Sequence, residues 1–316
     1  MSGEIVNSIY DLTMEELENY FLEHQDKKFH AVQLFEWLYQ KRIKTIEEAT
    51  NLKKETREQL KKDFSFQNIT ITSVEEGEGV KKYLFTLNDQ EHIEAVLMYH
   101  DYGLSLCISS QVGCNMGCAF CESGRRKKVR NLTTGEMVEQ ILQIEESCGE
   151  RIRHVVVMGI GEPFDNYDNV CKMIQIINHP KGLNIGARHI TVSTCGIVPK
   201  IREFSDFPYQ VNLAVSLHAP NDTLRKALMP IAKVYPLKEL MEALEEYEKK
   251  TSRRLTFEYI LLKDVNDKEE QARELVSLLK GKNAYVNLIP YNETQHLQFK
   301  RSNTCLLYTS PSPRDC

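Results

Sequence analysis

The first part of the chain carries apolar residues at helical spacing. Over residues 31–40, Leu34, Trp37 and Leu38 fall on one side of a predicted helix. The other predicted helices in this part are 14–24 and 53–62, the second of which is strongly basic. We therefore predict a small helical domain over residues 1–65.

The spacing changes to a strand-like period between residues 69 and 98. Short alternating runs occur at 82–87 and 92–98, and glycines such as Gly77 and Gly79 separate the runs. This pattern is typical of a hairpin or a small sheet. We predict a short β-rich connector at 66–100.

Beyond the connector, β-rich runs alternate with helical patterns. The predicted strands are 104–109, 154–159, 189–195, 210–218, 254–262 and 285–291. The predicted helices are 134–146, 168–177, 222–228, 237–250 and 268–279. This order predicts an α/β core at 101–303 with a parallel sheet, either doubly wound or curled into a barrel. Such sheets place their sites at the carboxyl ends of the strands, where most residues of chemical interest lie here.

Composition excludes several classes of protein. The 316 residues are 41% hydrophobic and 27% charged, which is near the average for globular proteins and excludes a disordered chain. No apolar run approaches the roughly 18 to 20 residues that span a bilayer, and residues 1–10 lack a secretory signal. We expect a cytoplasmic protein. The net charge of -5 does not decide for or against nucleic acid, because local patches determine such binding.

Cysteines supply the clearest chemical signal. Of the nine cysteines, four fall within 107–121, which argues against a secreted disulfide scaffold and for metal or redox chemistry. Cys114, Cys118 and Cys121 have the spacing CxxxCxxC. Three thiolates can bind three irons of a 4Fe-4S cluster and leave the fourth iron open to an exogenous ligand. A structural zinc site needs a fourth ligand, which is not seen at suitable spacing, and metal-free thiols are the other alternative.

This cysteine motif resembles the radical S-adenosylmethionine (SAM) signature, with Phe120 before its last cysteine. In that superfamily SAM binds the open iron and is cleaved reductively to a 5'-deoxyadenosyl radical. Five segments in order further resemble the RlmN/Cfr family of RNA adenine methyltransferases. They are CISSQVGC at 107–114, RNLTTGE at 130–136, MGIGEP at 158–163, VSLHAPND at 215–222 and NLIPYN at 287–292. The resemblance extends to about Asn303 and implies a partial (β/α)6 barrel behind the N-terminal helical domain and the connector.

The resemblance implies SAM contacts at the ends of four strands. The implied residues are Gly161, Glu162, Ser193, Ser216, Leu217, His218 and Asn292. An acidic side chain suits the cationic amino group of SAM, and hydroxyls suit its ribose or carboxylate. Two alternatives stay open: Glu162 and Pro163 as an ordinary strand-ending turn, and His218 as a core histidine with satisfied hydrogen bonds.

The resemblance also implies the reaction. Carbon 2 of adenine is neither nucleophilic nor acidic, so polar methyl transfer cannot reach it and a radical route is required. In the family, one SAM methylates a cysteine near the C-terminus, and a second SAM yields the radical that activates that methyl group for addition to the base. Cys107 matches the cysteine that resolves the protein–RNA thioether through a disulfide, a task that needs a thiolate. Glu94 matches the acceptor of a proton from the adduct, although alone it would be an ordinary solvent-facing strand residue.

Local charge fits an RNA partner. A basic run follows the cysteine motif directly, at Arg125, Arg126, Lys127, Lys128 and Arg130. The N-terminal helices add Lys53, Lys54, Arg57, Lys61 and Lys62. Such cations can neutralise phosphates, but charge runs are also commonly solvated faces. The expected partners are 23S ribosomal RNA, transfer RNA as a second substrate, and a low-potential electron donor such as flavodoxin or ferredoxin; we expect a monomer and a target base extruded from its loop.

The chain departs from the family at its C-terminus. The methyl-carrying cysteine is expected some tens of residues beyond Asn303 and is absent. Residues 304–316 break the helical pattern, so we interpret them as a non-native tail on a truncated chain and assign neither Cys305 nor Cys316 as the methyl carrier. Such a chain is expected to bind the cluster and SAM without completing methylation. The sequence leaves open C8 methylation as in the Cfr branch, a radical SAM activase acting on a protein, and a non-catalytic iron-sulfur or zinc RNA-binding protein.

Overall fold

The computed structural model describes residues 7–303, so Cys305, Cys316 and the predicted tail lie outside the described residues. The described chain forms two compact units. The first unit comprises 7–112, 131–160 and 166–190. The second unit comprises 113–130, 161–165 and 191–303. Within 7–303, no helix is long and apolar enough to cross a membrane.

The helices and strands follow the predicted order closely. The helices are α1 (Met14–Glu23), α2 (Lys28–Glu36), α3 (Lys54–Asp63), α4 (Thr134–Cys148), α5 (Tyr167–Asn178), α6 (Val198–Phe204), α7 (Asp222–Leu228), α8 (Leu237–Thr251) and α9 (Glu269–Leu279). The strands are β1 (Asn7–Ser8), β2 (Phe64–Ser65), β3 (Ile69–Gly77), β4 (Val80–Leu87), β5 (His92–His100), β6 (Gly103–Cys107), β7 (Gln111–Val112), β8 (Arg130–Asn131), β9 (Ile152–Val157), β10 (Ile190–Thr194), β11 (Asn212–Ser216), β12 (Leu255–Leu261) and β13 (Ala284–Pro290).

The N-terminal helices of the first unit form a closed segment. Helix α1 begins with a capping box, in which the Thr13 backbone N–H donates to Glu16 and the Glu16 backbone N–H donates to the Thr13 hydroxyl. Strand β1 pairs in parallel with β2, so Asn7 lies beside Phe64. The segment therefore begins and ends at neighbouring positions.

Helix α4 holds this segment in place within the first unit. The Gly135 backbone N–H donates to Asp11 at 2.7 Å, and a Cβ at Gly135 would lie 2.6 Å from the Ser8 hydroxyl. Nearly three turns further along α4, Arg42 forms an ion pair with the buried Glu145. Only a residue without a side chain fits at position 135, since any Cβ would push Ser8 away.

The sheet of the first unit has one buried face and one partly exposed face. Strands β3, β4, β5 and β6 pair in antiparallel order, and β6 then pairs in parallel with β9. Along β4, Tyr83, Phe85 and Leu87 are buried, while the alternate residues Lys82 and Leu84 are only half-buried. This alternation confirms the sheet predicted for the connector.

The second unit holds parallel strands with helices between them. The Thr191–Thr194 part of β10 pairs with β11, β11 pairs with β12, and β12 pairs with β13, all in parallel. Helix α6 follows β10, α7 and α8 follow β11, and α9 follows β12. Residues that directly follow the carboxyl ends of β10, β12 and β13, namely Cys195, Leu262 and Tyr291, belong to one buried apolar cluster. This arrangement confirms the predicted α/β class.

Candidate active site

The cysteine motif lies on a tightly held loop of the second unit. Gly113 has φ +72°, and a Cβ there would lie 2.3 Å from the Lys127 carbonyl oxygen. The Cys114 backbone N–H donates to the Arg126 carbonyl at 2.9 Å, and the Ala119 N–H donates to the Leu228 carbonyl at 2.8 Å. The loop is thus fixed on both sides, and glycine is required at 113 because a side chain has no room and the backbone is left-handed.

The three predicted ligands, Cys114, Cys118 and Cys121, all lie on this loop or at its end. Burial raises the pKa of Cys118 to about 12, and the Cys121 and Cys114 thiols raise it further. Burial likewise raises the pKa of Cys114 to about 11, with Glu162 and Cys121 adding to the effect. The three thiols therefore lie within electrostatic range of one another, and their role as cluster ligands stays a prediction. Bound iron would replace the protons and stabilise all three as thiolates.

Within residues 7–303, no three His, Cys, Asp or Glu side chains lie close enough to share one metal ion. The three thiolates of a 4Fe-4S cluster bind different irons, so they do not form such a group.

Arg225 is a buried cation that sequence reasoning missed. The residue is fully buried, its Nη2 donates to the Cys195 carbonyl at 2.7 Å, and its Nε donates to the Leu217 carbonyl at 3.3 Å. These bonds tie the end of β10 to the end of β11. Its Nη1 is also buried and has no hydrogen-bond partner among the described residues. A buried N–H without a partner costs about 1–3 kcal/mol, so an anionic group such as the cluster or the SAM carboxylate fits this position.

Glu162 is a buried carboxylate at the predicted SAM site. Its Oε2 accepts from the Cys195 N–H at 2.8 Å, and its Oε1 accepts from the Phe164 N–H at 3.1 Å. Burial raises the pKa of this carboxyl, while the backbone hydrogen bonds act in the opposite direction. These hydrogen bonds hold the Glu162 side chain between the turn at Phe164 and the end of β10, and its contact with SAM stays a prediction.

His218 resembles a satisfied core histidine in its contacts. It is buried, its Nδ1 accepts from the Ile260 N–H at 3.0 Å, and the Asn266 side chain donates to its carbonyl at 2.8 Å. Burial, and then Arg225, lower the pKa of the ring to about 3, so the ring is neutral at pH 7. His218 has φ 56°, which turns the chain directly after Leu217. It therefore shapes the strand end without carrying charge.

The remaining predicted SAM contacts belong to the second unit. Ser193 is buried in β10, Ser216 ends β11, and Asn292 is exposed after β13. Gly161, with φ 111°, precedes Glu162. Together with Leu217 and His218, these residues are placed at or just beyond the strand ends, as the resemblance implied.

Glu94 and Cys107 share one face of the first unit's sheet. Cys107 pairs directly with Val96, and Glu94 lies two residues before Val96 on β5. Because side chains on one face recur every second residue, the carboxylate and the thiol point to the same side. Lys82 also pairs with Val96, and its Nζ lies 3.5 Å from Glu94. The alternating pattern of β4 indicates on which face of the strand Lys82 lies. Its contact with Glu94 could not be predicted, because that contact depends on the register between β4 and β5.

The Cys107 thiol differs from the expectation of a thiolate. Burial of its sulfur raises the pKa to about 11, against a hydrogen bond from Met158. The thiol is therefore neutral at pH 7. All seven cysteines of the described residues are free, so the expected disulfide stays a prediction.

The basic run is partly neutralised. Arg125 pairs with Glu122 at 2.5 Å, and Lys128 pairs with Asp165 at 2.6 Å, whereas Lys127 is exposed. Among the N-terminal cations, Lys61 pairs with Glu47 at 2.6 Å. Local acids thus reduce the positive field of both sets, and RNA binding by either set stays a prediction.

Known proteins resemble this chain over most of its length. Residues 108–276 match the radical SAM superfamily, and residues 7–65 match the ribosomal RNA large subunit methyltransferase N-terminal domain. A probable dual-specificity RNA methyltransferase RlmN of Enterococcus faecalis is 53% identical over 305 residues, covering 94% of this chain and 85% of the relative. The protein of the same name from Acholeplasma laidlawii is 51% identical, covering 93% of this chain and 88% of the relative.

A solved structure has the same fold. The radical SAM methyltransferase from Sphaerobacter thermophilus is 40% identical, with a TM-score of 0.91, and the match covers 96% of this chain and 90% of that one. The radical SAM match includes the cysteine loop and the ends of β9 to β12, and the match with this structure covers nearly the whole chain.

Proposed function

Because the chain belongs to the RlmN family of radical SAM methyltransferases, which use a 4Fe-4S cluster and SAM, we propose that it methylates carbon 2 of an adenine in RNA. The proposed substrates are 23S ribosomal RNA and transfer RNA, in line with the dual specificity in the names of its relatives. The proposed route uses a methyl-cysteine intermediate and two SAM molecules per turnover.

The observation that carries this proposal is the shared sheet face of Cys107 and Glu94. A radical SAM enzyme that only generates a radical needs no such pair. A thiol that resolves a thioether and a carboxylate that accepts a proton from the base must both reach one substrate, and a strand register that puts both side chains on one sheet face supports this assignment.

The cofactor and cosubstrate would be held by the second unit. When bound, the cluster and SAM supply the methyl group and the radical chemistry that an unreactive ring carbon requires. Cys114, Cys118 and Cys121 would bind the cluster. The residues proposed to bind SAM are Gly161, Glu162, Ser193, Ser216, Leu217, His218 and Asn292. Arg225 holds two of the strand ends that present these residues.

Residues of the first unit would accept a proton from the base and resolve the thioether. The Glu94 carboxylate accepts a proton from the base, and Lys82 keeps that carboxylate in place through its ion pair. Cys107 must lose its proton before it can attack the thioether, because only the thiolate is nucleophilic. A neutral resting thiol prevents premature reaction. We further propose that residues 1–65 assist RNA binding, that flavodoxin or ferredoxin supplies the electron, and that the enzyme acts as a monomer.

Anaerobic reconstitution tests the cofactor assignment. With iron, sulfide, SAM and dithionite, we expect the visible absorption of a 4Fe-4S cluster and release of 5'-deoxyadenosine. Cys114→Ala, Cys118→Ala and Cys121→Ala should each lose both signals, whereas Cys148→Ala, at the end of α4, should keep them. A chain that forms no cluster, or cleaves no SAM, would favour the non-catalytic RNA-binding alternative.

Mass analysis of RNA tests the position of the methyl group. RNA from cells that express the complete gene should contain 2-methyladenosine at the target nucleotide. Recovery of 8-methyladenosine instead would replace our choice with the C8 reaction of the Cfr branch. Modification that depends on Glu94 and Cys107 but not on Cys148 would support the residue roles.

A further inference from the structure

Four aromatic rings in mutual contact form a strip on the surface of the first unit. We call His100, Tyr102, His154 and His189 the ring strip. His100 stacks on Tyr102 with centroids 4.7 Å apart and ring planes 12° apart. Tyr102 meets His154 edge-on at 5.0 Å, and His154 contacts His189 at 4.5 Å. The strip is open to solvent, since Tyr102 is 63% exposed.

The ring strip is built from separate elements, which fix its position. His100 ends β5, and Tyr102 lies in the turn before β6. His154 lies in β9, and His189 comes just before β10. The Nδ1 atoms of His154 and His189 are 3.2 Å apart, so one ring donates a hydrogen bond to the other. Rings held by sheet strands and by one another lose little freedom when they bind a ligand.

The ring strip is distinct from the pair formed by Glu94 and Cys107. On β6, Ser105 pairs with His154, whereas Cys107 pairs with Val156 two residues further along β9. The strip therefore occupies the amino-terminal end of these parallel strands. None of the roles proposed for Glu94 or Cys107 uses it.

Arg153 supplies a permanent positive charge beside the ring strip. Burial lowers the pKa of His154, and then His189, His100 and Arg153 lower it further; each of these three neighbours is a cation or becomes one on protonation. The Arg153 side chain runs along the turn beside Tyr102, because a Cβ at Gly103 would lie 3.0 Å from the Arg153 Cδ. A cluster of exposed rings with a cation beside it offers base stacking and a phosphate contact at one place.

We propose that the ring strip is an RNA contact that takes unpaired nucleotides, with bases on Tyr102 and its neighbouring imidazoles and a phosphate on Arg153. This proposal rests on RNA being the substrate, and it adds a surface that holds RNA away from the reacting base. Proteins read single-stranded RNA largely through aromatic stacking, whereas paired RNA hides the faces of its bases. The strip therefore selects loops over stems.

Binding of a fluorescein-labelled RNA hairpin, followed by anisotropy, tests the proposal on the full chain. Tyr102→Ala should weaken binding by about 5- to 140-fold, the range for loss of one stacked base. Tyr102→Phe keeps the ring and should bind within about twofold of the unchanged protein. Tyr285→Ala is the matched control, because Tyr285 is also exposed and also lies beside an arginine, with Arg254 3.4 Å from its ring.

The outcomes separate this proposal from the proposed function. Unchanged hairpin binding by Tyr102→Ala, or an equal loss with Tyr285→Ala, would overturn the ring strip while leaving RNA as the substrate. The fully paired stem alone should bind about equally to the unchanged protein and to Tyr102→Ala, and a loss there would also contradict stacking. No RNA binding by the unchanged protein would remove both proposals.

Discussion

Gly113 and Gly149 have almost the same backbone conformation, with φ +72° and +73°. A Cβ at Gly149 would meet nothing within 4 Å, whereas one at Gly113 would meet the Lys127 carbonyl at 2.3 Å. Both Gly→Ala changes cost about 1 kcal/mol of left-handed strain, but only Gly113→Ala also displaces the cysteine loop. We expect Gly113→Ala to retain less than half of the iron after reconstitution, and Gly149→Ala to retain all of it. Equal iron content in both variants would show that the loop tolerates the shift.

The neutral Cys107 thiol leads to a second prediction at this scale. With a pKa raised to about 11 by burial, its thiolate fraction grows about tenfold with each pH unit from 8 to 10. Its alkylation rate, followed peptide by peptide with mass spectrometry, should rise in the same proportion. In urea, where burial is lost, the rate at pH 8 should be far higher. A rate that levels off by pH 9 in the folded protein would contradict the raised pKa.

The residues of the site were predictable to unequal degrees. The three cluster cysteines follow from spacing alone, because ligands of one group must be close and the motif is local. Arg225 and Lys82 were missed because their roles depend on contacts between strands. In the sequence, Arg225 is an ordinary helical cation, and only the structure shows its hydrogen bonds to the Cys195 and Leu217 carbonyls. The raised pKa of Cys107 could not be predicted from the sequence, because a motif does not show how deeply its thiol is buried.

At the level of elements, the spacing of apolar residues and the turn signals predicted most of the helices and strands correctly. All six predicted core strands occur, because buried parallel strands are short apolar runs bounded by turns. Helix α6 was missed, since it has only seven residues, too few to show a helical period. The predicted helix 31–40 lies within the observed helical stretch, which starts three residues earlier at Lys28 and ends in a π-helical turn at Trp37–Lys41.

Helix α4 carries a buried carboxylate that makes stability depend on pH. Glu139 accepts a hydrogen bond from the Asn68 N–H at 2.9 Å, and burial raises its pKa from 4.5 to about 7. The folded state therefore holds this proton more tightly than the unfolded state does. The stabilisation is greatest below pH 4.5, and it declines as the pH rises towards 7.

Urea unfolding of the unchanged protein and of Glu139→Gln measures this effect. From pH 5 to pH 8, the unchanged protein should lose about 2–3 kcal/mol more unfolding free energy than the variant. The variant cannot titrate at this position, so other groups cancel in the difference. Parallel pH profiles for the two proteins would contradict the raised pKa.

For the whole molecule, binding of RNA must overcome an unfavourable total charge. The net charge is -5, and acids already pair with Arg125 and Lys128 in the basic run. Attraction to RNA therefore depends on a few local cations and is screened by salt. If three cations meet phosphates, raising salt from 0.1 to 0.2 M should weaken binding about fivefold. Affinity that does not change with salt would show that phosphate contacts contribute little.

The pairing of Asn7 with Phe64 has a meaning for how such enzymes diversify. A stretch of chain whose two ends adjoin can be exchanged as one cassette, since its replacement leaves the path of the remaining chain unaltered. Its contacts with the rest of the first unit must be preserved, among them those of Asp11 with Gly135, Arg42 with Glu145 and Glu16 with Lys172. Chimeras that take residues 7–65 from a relative should therefore fold. This segment can vary in evolution while the residues proposed for catalysis stay the same.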